Sequence, residues 1–163
     1  MKPILVACFL AATTLMSSAA PAKAGQSMPK LAQLLPEAKI PNTSGKVVLV
    51  DFWASWCGPC KISFPCLNRL HDKYSSKGLV IIGIGVDDDA AKYKSFAEKM
   101  AAKFPLAHDS AHKAAEFFGP SMMPTSYLID RKGVIHSVHT GFRGEKTEAE
   151  YTVEIEALLA EKP

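Results

Sequence analysis

The segment Trp56-Cys57-Gly58-Pro59-Cys60 stands between two stretches of opposite character. Before it, Val47-Val48-Leu49-Val50-Asp51-Phe52-Trp53 is an almost unbroken apolar run, and after it Lys61 to Lys77 carries a helical pattern. An apolar run without alternation reads as a strand covered on both faces, hence central and parallel in its sheet. Two cysteines two residues apart, where such a strand gives way to a helix, place the first sulfur at a helix N-terminus. Unpaired backbone N–H groups and the positive end of the helix dipole there favour a thiolate over a thiol. Lowering a cysteine pKa from about 8.5 to about 7 takes roughly 2 kcal/mol of differential stabilisation, and leaves about half the sulfur reactive at neutral pH. The spacing marks a redox-active dithiol.

The first residues read as an address rather than as part of the fold. Lys2 precedes an apolar run from Ile4 to Met16, small residues follow, and Ala22-Lys23-Ala24 has the A-x-A form of a cleavage site. Residues 1–24 are therefore expected to be a secretory signal peptide, with an apolar run too short for a permanent anchor. Leu5-Val6-Ala7-Cys8 has the letters of a lipoprotein box, but the seven residues before Cys8 leave no room for an apolar leader. Cys8 is expected to leave with the signal. Residues 25–163 have the size of one domain with one core. The whole chain carries a net charge of +3; losing Lys2 and Lys23 leaves 17 basic against 16 acidic residues, or +1. That balance gives no electrostatic case for nucleic acid or a membrane surface. Cys57, Cys60 and Cys66 remain, too few for the disulfide scaffold of an exported protein, so the close pair reads as a working switch.

Along the chain, Leu31, Leu34 and Leu35 predict a short helix ending before Pro36. Gly45 turns into the first strand, and Pro65 is expected to kink the helix after the dithiol. Leu79 to Val86 reads as a second buried strand, and the pattern from Asp87 to Asp109 is helical before a short Phe104-Pro105-Leu106 segment. Ser110 is the expected cap of a further helix through Phe118, closed by Gly119-Pro120. Thr125 to Ile129 and Val134 to Val138 form a hairpin across Asp130-Arg131-Lys132-Gly133, and Thr147 to Ala160 is a closing amphipathic helix. The order β-α-β-α-α-β-β-α implies an α/β sandwich, with parallel strands joined by a crossover and then an antiparallel hairpin.

The run Val50 to Lys61, with Pro65 five residues beyond the second cysteine, resembles the active-site motif of the thioredoxin superfamily nearly residue for residue. Met123-Pro124-Thr125 resembles the loop whose cis-proline faces the dithiol in that fold. The helix-bearing segment between them, together with the leader, resembles the exported TlpA/ResA-like branch. The resemblance covers about Lys46 to Leu159. It implies a thioredoxin fold: α/β, with a central mixed β-sheet flanked by helices and a helical insertion before the cis-proline half. The N-terminal segment departs from it, reading helical where many of that branch begin with a β-hairpin.

Site roles follow from the resemblance and from chemistry together. Cys57, at an exposed junction, is expected to be the attacking thiolate and Cys60, one turn on and more buried, the resolving thiol. A zinc site would need two further ligands at metal spacing, and Lys61 stands where c-type haem attachment requires His. Asp51, a carboxylate in an apolar strand, occupies the place of the buried acid that relays protons to the resolving cysteine in thioredoxins, and burial would raise its pKa. The Met123–Pro124 bond is expected to be cis, with the peptide before the proline pairing with a client's extended backbone and Thr125 beside it. Trp53 reads as core and Trp56 as rim beside the sulfur. Cys66 lies six residues from Cys60, about 9 Å along one helix and beyond the disulfide limit near 7 Å, so it reads as a buried unpaired thiol. His136 and His139, three apart on a strand, face opposite sides and read as surface histidines.

The expected function is that of an exported, periplasmic thiol–disulfide oxidoreductase, monomeric and without bound cofactor or metal, reducing disulfides in client proteins. A membrane thiol-transfer protein is the implied electron donor, with apocytochrome c or copper-site cysteines as clients. An exported oxidase or isomerase is the nearest alternative, and a copper chaperone using Cys57, Cys60 and a histidine the more distant one.

Overall fold

The computed structural model describes residues 20–162. Lys2, Cys8 and the apolar run Ile4 to Met16, on which the expected signal rests, lie outside them. Five strands form one mixed sheet: β1 (Val47–Trp53), β2 (Leu79–Gly85), β3 (Leu106–His108), β4 (Thr125–Ile129) and β5 (Ile135–Thr140). Their order is β3-β2-β1-β4-β5, with β1, β2 and β3 parallel and β4 and β5 antiparallel. The helices are α1 (Leu31–Leu34), α2 (Gly58–Tyr74), α3 (Ala90–Met100), α4 (Lys113–Phe118) and α5 (Glu145–Ala160). The central mixed sheet with flanking helices, and α3 and α4 inserted ahead of β4, are the expected architecture.

Every residue of β1 is buried, as an apolar run without alternation requires. Its residues divide between two layers of core. Val47, Leu49 and Trp53 pack with Cys60, Phe64 and Leu67 of α2, Phe96 of α3, and Tyr151 and Ile155 of α5. Val48, Val50 and Phe52 pack with Leu31 of α1 and Ala114 and Phe118 of α4. Asp51 belongs to the first set by its position in the strand.

Several local expectations are corrected. The helix after the dithiol spans Gly58–Tyr74 rather than Lys61 to Lys77, since Pro59 fits the first turn and Ser75–Lys77 is a 3-10 turn; Pro65 lies inside it. Leu106–His108, where the sequence offered only a short Phe104-Pro105-Leu106 segment, is an edge strand that pairs with Gly83–Gly85. The fourth helix begins at Lys113 rather than Ser110, and its first amides are held by Asp109, whose carboxylate accepts from Ala114 N–H at 3.3 Å and Ala115 N–H at 2.8 Å.

Glycine decides the packing under Trp53. A Cβ on Gly85 would stand 2.6 Å from the Tyr93 ring and 2.8 Å from Trp53, and one on Gly83 would stand 2.6 Å from Leu106. The bare backbone of β2 lets α3 and the indole close onto the sheet. Among the described residues no helix is long and apolar enough to cross a membrane. The end of the expected signal does lie among them: Ala22 is buried and its N–H donates to Phe118 O at 2.9 Å.

Candidate active site

At the end of β1 the chain leaves the sheet and turns sharply, with Cys57 N–H donating to Ala54 O at 3.0 Å. Cys57 is extended and caps α2: its sulfur accepts the N–H of Cys60 at 3.1 Å. The two cysteines are joined as a disulfide, with Cα atoms 5.3 Å apart. One sulfur therefore takes the place that a Ser or Asp oxygen takes at an ordinary helix start, facing free amides and the positive end of a 17-residue helix. Negative charge released on that sulfur by reduction is stabilised where it forms.

Cys57 had been expected at an exposed junction. The structure covers it, leaving the residue 4% accessible, while Cys60 is fully buried. What faces solvent at this junction is Trp56, 71% accessible, and not the sulfur. Trp53 is core as expected, stacked with Tyr93 at 5.1 Å and Phe96 at 4.9 Å between ring centres.

Asp51 is buried beneath the dithiol helix and partnered on one oxygen only. Ser126 Oγ donates to its Oδ1 at 2.6 Å and is itself 2.7 Å from Tyr151 Oη. The other oxygen has no hydrogen-bond partner among the described residues. Burial pushes the carboxyl from 3.8 up to about 7, against the lowering effect of the Ser126 hydrogen bond. The group can thus gain or lose a proton near neutrality.

The Met123–Pro124 bond is cis. Thr125 is the register partner of Phe52, so the loop before it meets β1 where that strand runs out toward Ala54 and Cys57. Met123 packs against the core cluster that contains both active-site cysteines. Thr125 is buried and donates to Met122 O at 2.7 Å, and Pro124 O accepts Gly141 N–H at 2.8 Å. Sequence positions 57–60 and 123–125 thereby come to one end of the sheet.

Cys66 is a buried free thiol, and burial pushes it up to about 12, so it stays protonated. His136 is exposed, but His139 is corrected: its side chain is only 11% accessible. It lies 2.9 Å from Glu154, a carboxylate that also accepts from Ser137 Oγ, and its ring stands edge-on to Tyr151. The strand alternation was read correctly, but α5 covers the face that His139 shares with Ser137.

Asp87 escaped the sequence reading. It is 4% accessible and its carboxylate accepts Ser55 N–H at 2.9 Å and Ser55 Oγ at 2.5 Å, pinning the turn two residues ahead of Cys57. His108 Nε2 lies 2.6 Å from the Asp87 carbonyl. In the sequence Asp87-Asp88-Asp89 is a run of acids that looks solvated.

Residues 20–155 match the Redoxin family. The thiol-disulfide oxidoreductase ResA of Bacillus anthracis is 36% identical over 97 residues, covering 60% of this chain and 56% of that protein. ResA of Bacillus cereus (strain ATCC 10987 / NRS 248) is 36% identical over 110 residues, covering 67% and 61%. The chain thus spans less than two thirds of the length of these relatives. Among solved structures, a Chlorobium tepidum protein assigned as a thiol:disulfide interchange protein DsbE superposes with a TM-score of 0.73 at 31% identity, over 86% of this chain and 100% of that one. StoA from Bacillus subtilis superposes with a TM-score of 0.59 at 25% identity, over 69% and 85%.

Proposed function

The chain belongs to the Redoxin family, and from that premise we propose that it is a thiol–disulfide oxidoreductase that reduces disulfides in client proteins. The observation that carries the proposal is the placement of Cys57 Sγ as the cap of α2, over the amide of Cys60. In the reducing direction the Cys57 thiolate attacks one sulfur of a client disulfide and the other leaves as a thiolate. The Cys60 thiol loses its proton and displaces the reduced client from the mixed disulfide. Two electrons pass to the client and the Cys57–Cys60 disulfide is left behind. Asp51 serves the second step as the proton acceptor for Cys60, since its carboxyl titrates near neutrality. Trp56 is the exposed part of the proposed client-facing rim and Met123 the half-buried part, while the buried Pro124 and Thr125 hold the loop whose backbone before Pro124 pairs with an extended client strand.

The cysteine pair is itself the redox group, so the reaction calls for no bound cofactor or metal. Its regeneration calls for a thiol donor, and a membrane thiol-transfer protein fits an exported, periplasmic monomer with residues 1–24 removed as a signal peptide. Cysteines of apocytochrome c or of a copper site are the proposed clients. The reducing direction is supported by Gly58-Pro59, which brings neither charge nor imidazole to the Cys57 thiolate. A moderately stabilised thiolate gives a reducing potential, nearer about −270 mV than the roughly −120 mV of a strong oxidant.

The test is equilibration of the mature protein with glutathione, with insulin disulfide reduction as the activity assay. A potential near thioredoxin and catalysed insulin reduction are expected. A potential above about −160 mV would assign the same two cysteines to oxidation or isomerisation instead.

A further inference from the structure

We propose that the groove between α2 and α3 is a docking subsite for an acidic segment of a client protein. The inference rests on the reading of Cys57 and Cys60 as the working dithiol, and adds to it a chemical class of client. The groove has a volume of about 400 Å³ and reaches from Ser55 and Lys61, which bracket the two cysteines in sequence, along the exposed side of α3. Phe96 and Met100 form its apolar floor, and Lys61, Lys92 and Lys99 stand around it.

No carboxylate lines this groove. Among the described residues none of its three lysines makes an ion pair, whereas Lys73 and Lys103 on the same side of the sheet are paired with Glu156 and Asp72. Of the acids close by in sequence, Asp87, Asp88 and Asp89 are held by other groups, and Glu98, next to Lys99, is not among the residues that line the groove. Asp87 accepts from Ser55, Asp88 is paired with His112, and Asp89 caps α3 through the amides of Ala91 and Lys92. The lining of the groove itself thus carries three positive charges and no negative one.

A single exposed ion pair contributes little. Three like charges around an apolar floor raise the local concentration of an anionic partner and speed its encounter, in a salt-dependent way. The complementary occupant is an extended segment with carboxylates to meet the lysines and an apolar side chain to meet Phe96 and Met100. Such a segment flanking a client disulfide would deliver its sulfur to Cys57.

The experiment uses the reduced full-length domain and three synthetic peptides that share one internal disulfide and differ only in an acidic, neutral or basic flank. The acidic peptide is expected to be reduced about tenfold faster than the basic one at low salt, with the difference gone near 0.5 M NaCl, where screening is about 4 Å. Lys92→Glu combined with Lys99→Glu should reverse the preference. Because the readout is a ratio within one protein, a general loss of activity in the variant does not mimic it. Equal rates for the three peptides, or an acidic preference that survives the charge reversal, would overturn the inference. If no peptide is reduced at all, the dithiol reading itself fails, and the subsite falls with it.

Discussion

Ser126 Oγ donates to Asp51 Oδ1 at 2.6 Å, and the two residues are direct register partners across β4 and β1. The serine is held from its other side by Tyr151 Oη at 2.7 Å, a hydroxyl that burial, with the Asp51 charge behind it, keeps protonated. Two side chains, from β4 and α5, therefore fix this β1 acid under the dithiol helix, and its second oxygen has no hydrogen-bond partner among the described residues.

Replacing Asp51 by Asn should make the protein more stable, and only at higher pH. The folded carboxyl titrates near 7 against 3.8 for the ordinary group, so between those values the folded state holds a proton that the unfolded state has lost. Stability then falls as pH rises from about 4 to about 7 and levels off above it, by up to about 4 kcal/mol at 1.36 kcal/mol per pH unit. Urea unfolding at pH 4 and pH 8 checks this. Asp51→Asn should match the parent at pH 4 and exceed it by several kcal/mol at pH 8. A parent and variant with parallel pH profiles would remove Asp51 as the titrating group.

In the reduced protein, alkylation at pH 7 should label Cys57 first and Cys66 last. The cap position stabilises a thiolate at Cys57, while burial keeps the Cys66 thiol protonated. Peptide mapping against time gives the order, and early labelling of Cys66 would contradict it. Cys60→Ser should trap clients on Cys57 as mixed disulfides that run at higher mass on non-reducing gels.

Asp87→Ala should loosen the turn that presents Cys57. It leaves the Ser55 N–H and hydroxyl without their acceptor, a loss of about 1–3 kcal/mol. Insulin reduction should slow several-fold, and Asp87→Asn, which keeps one acceptor, should recover part of both losses. Unchanged turnover in Asp87→Ala with only a drop in denaturation midpoint would restrict this acid to a role in the fold.

Gly85→Ala should destabilise the domain by about 1–3 kcal/mol, because the new methyl would press on the Tyr93 and Trp53 rings. Near-UV circular dichroism should report the disturbed stack together with the lowered midpoint. An unperturbed aromatic spectrum would show that α3 can retreat without loss.

The strands beside the dithiol were legible because burial on both faces writes itself as a continuous apolar run, and the dithiol because its spacing and its strand-to-helix junction coincide. What stayed hidden depends on distance in sequence. Asp87 meets Ser55 across 32 residues, and nothing in three consecutive aspartates tells the buried acid from its solvated neighbours. The covering of His139 needs α5 laid over β5, which the alternation of the strand cannot foresee. The roles of Gly83 and Gly85 depend on Leu106, Tyr93 and Trp53, which close over them from elsewhere in the chain. Edge strand β3, three residues long, is made by its partner β2 rather than by its own sequence.

β1 and β4 are joined by register pairs running from Val48 with Ile129 to Phe52 with Thr125. The cysteines and the Met123–Pro124 loop are aligned by that ladder, and residues 86–122 take no part in it. This arm is in principle transplantable. An arm from a relative, of another length and charge, can be spliced between Gly85 and Met123 without moving the sulfurs. It must bring two aromatic rings for Trp53 to replace Tyr93 and Phe96, an acid for Ser55 in place of Asp87, and side chains to replace Ala114 and Phe118 over Val48, Val50 and Phe52. The reactive end and the arm that meets its surroundings are then separately exchangeable parts, so an arm swap would give a panel of chimeras with one redox chemistry and many tastes.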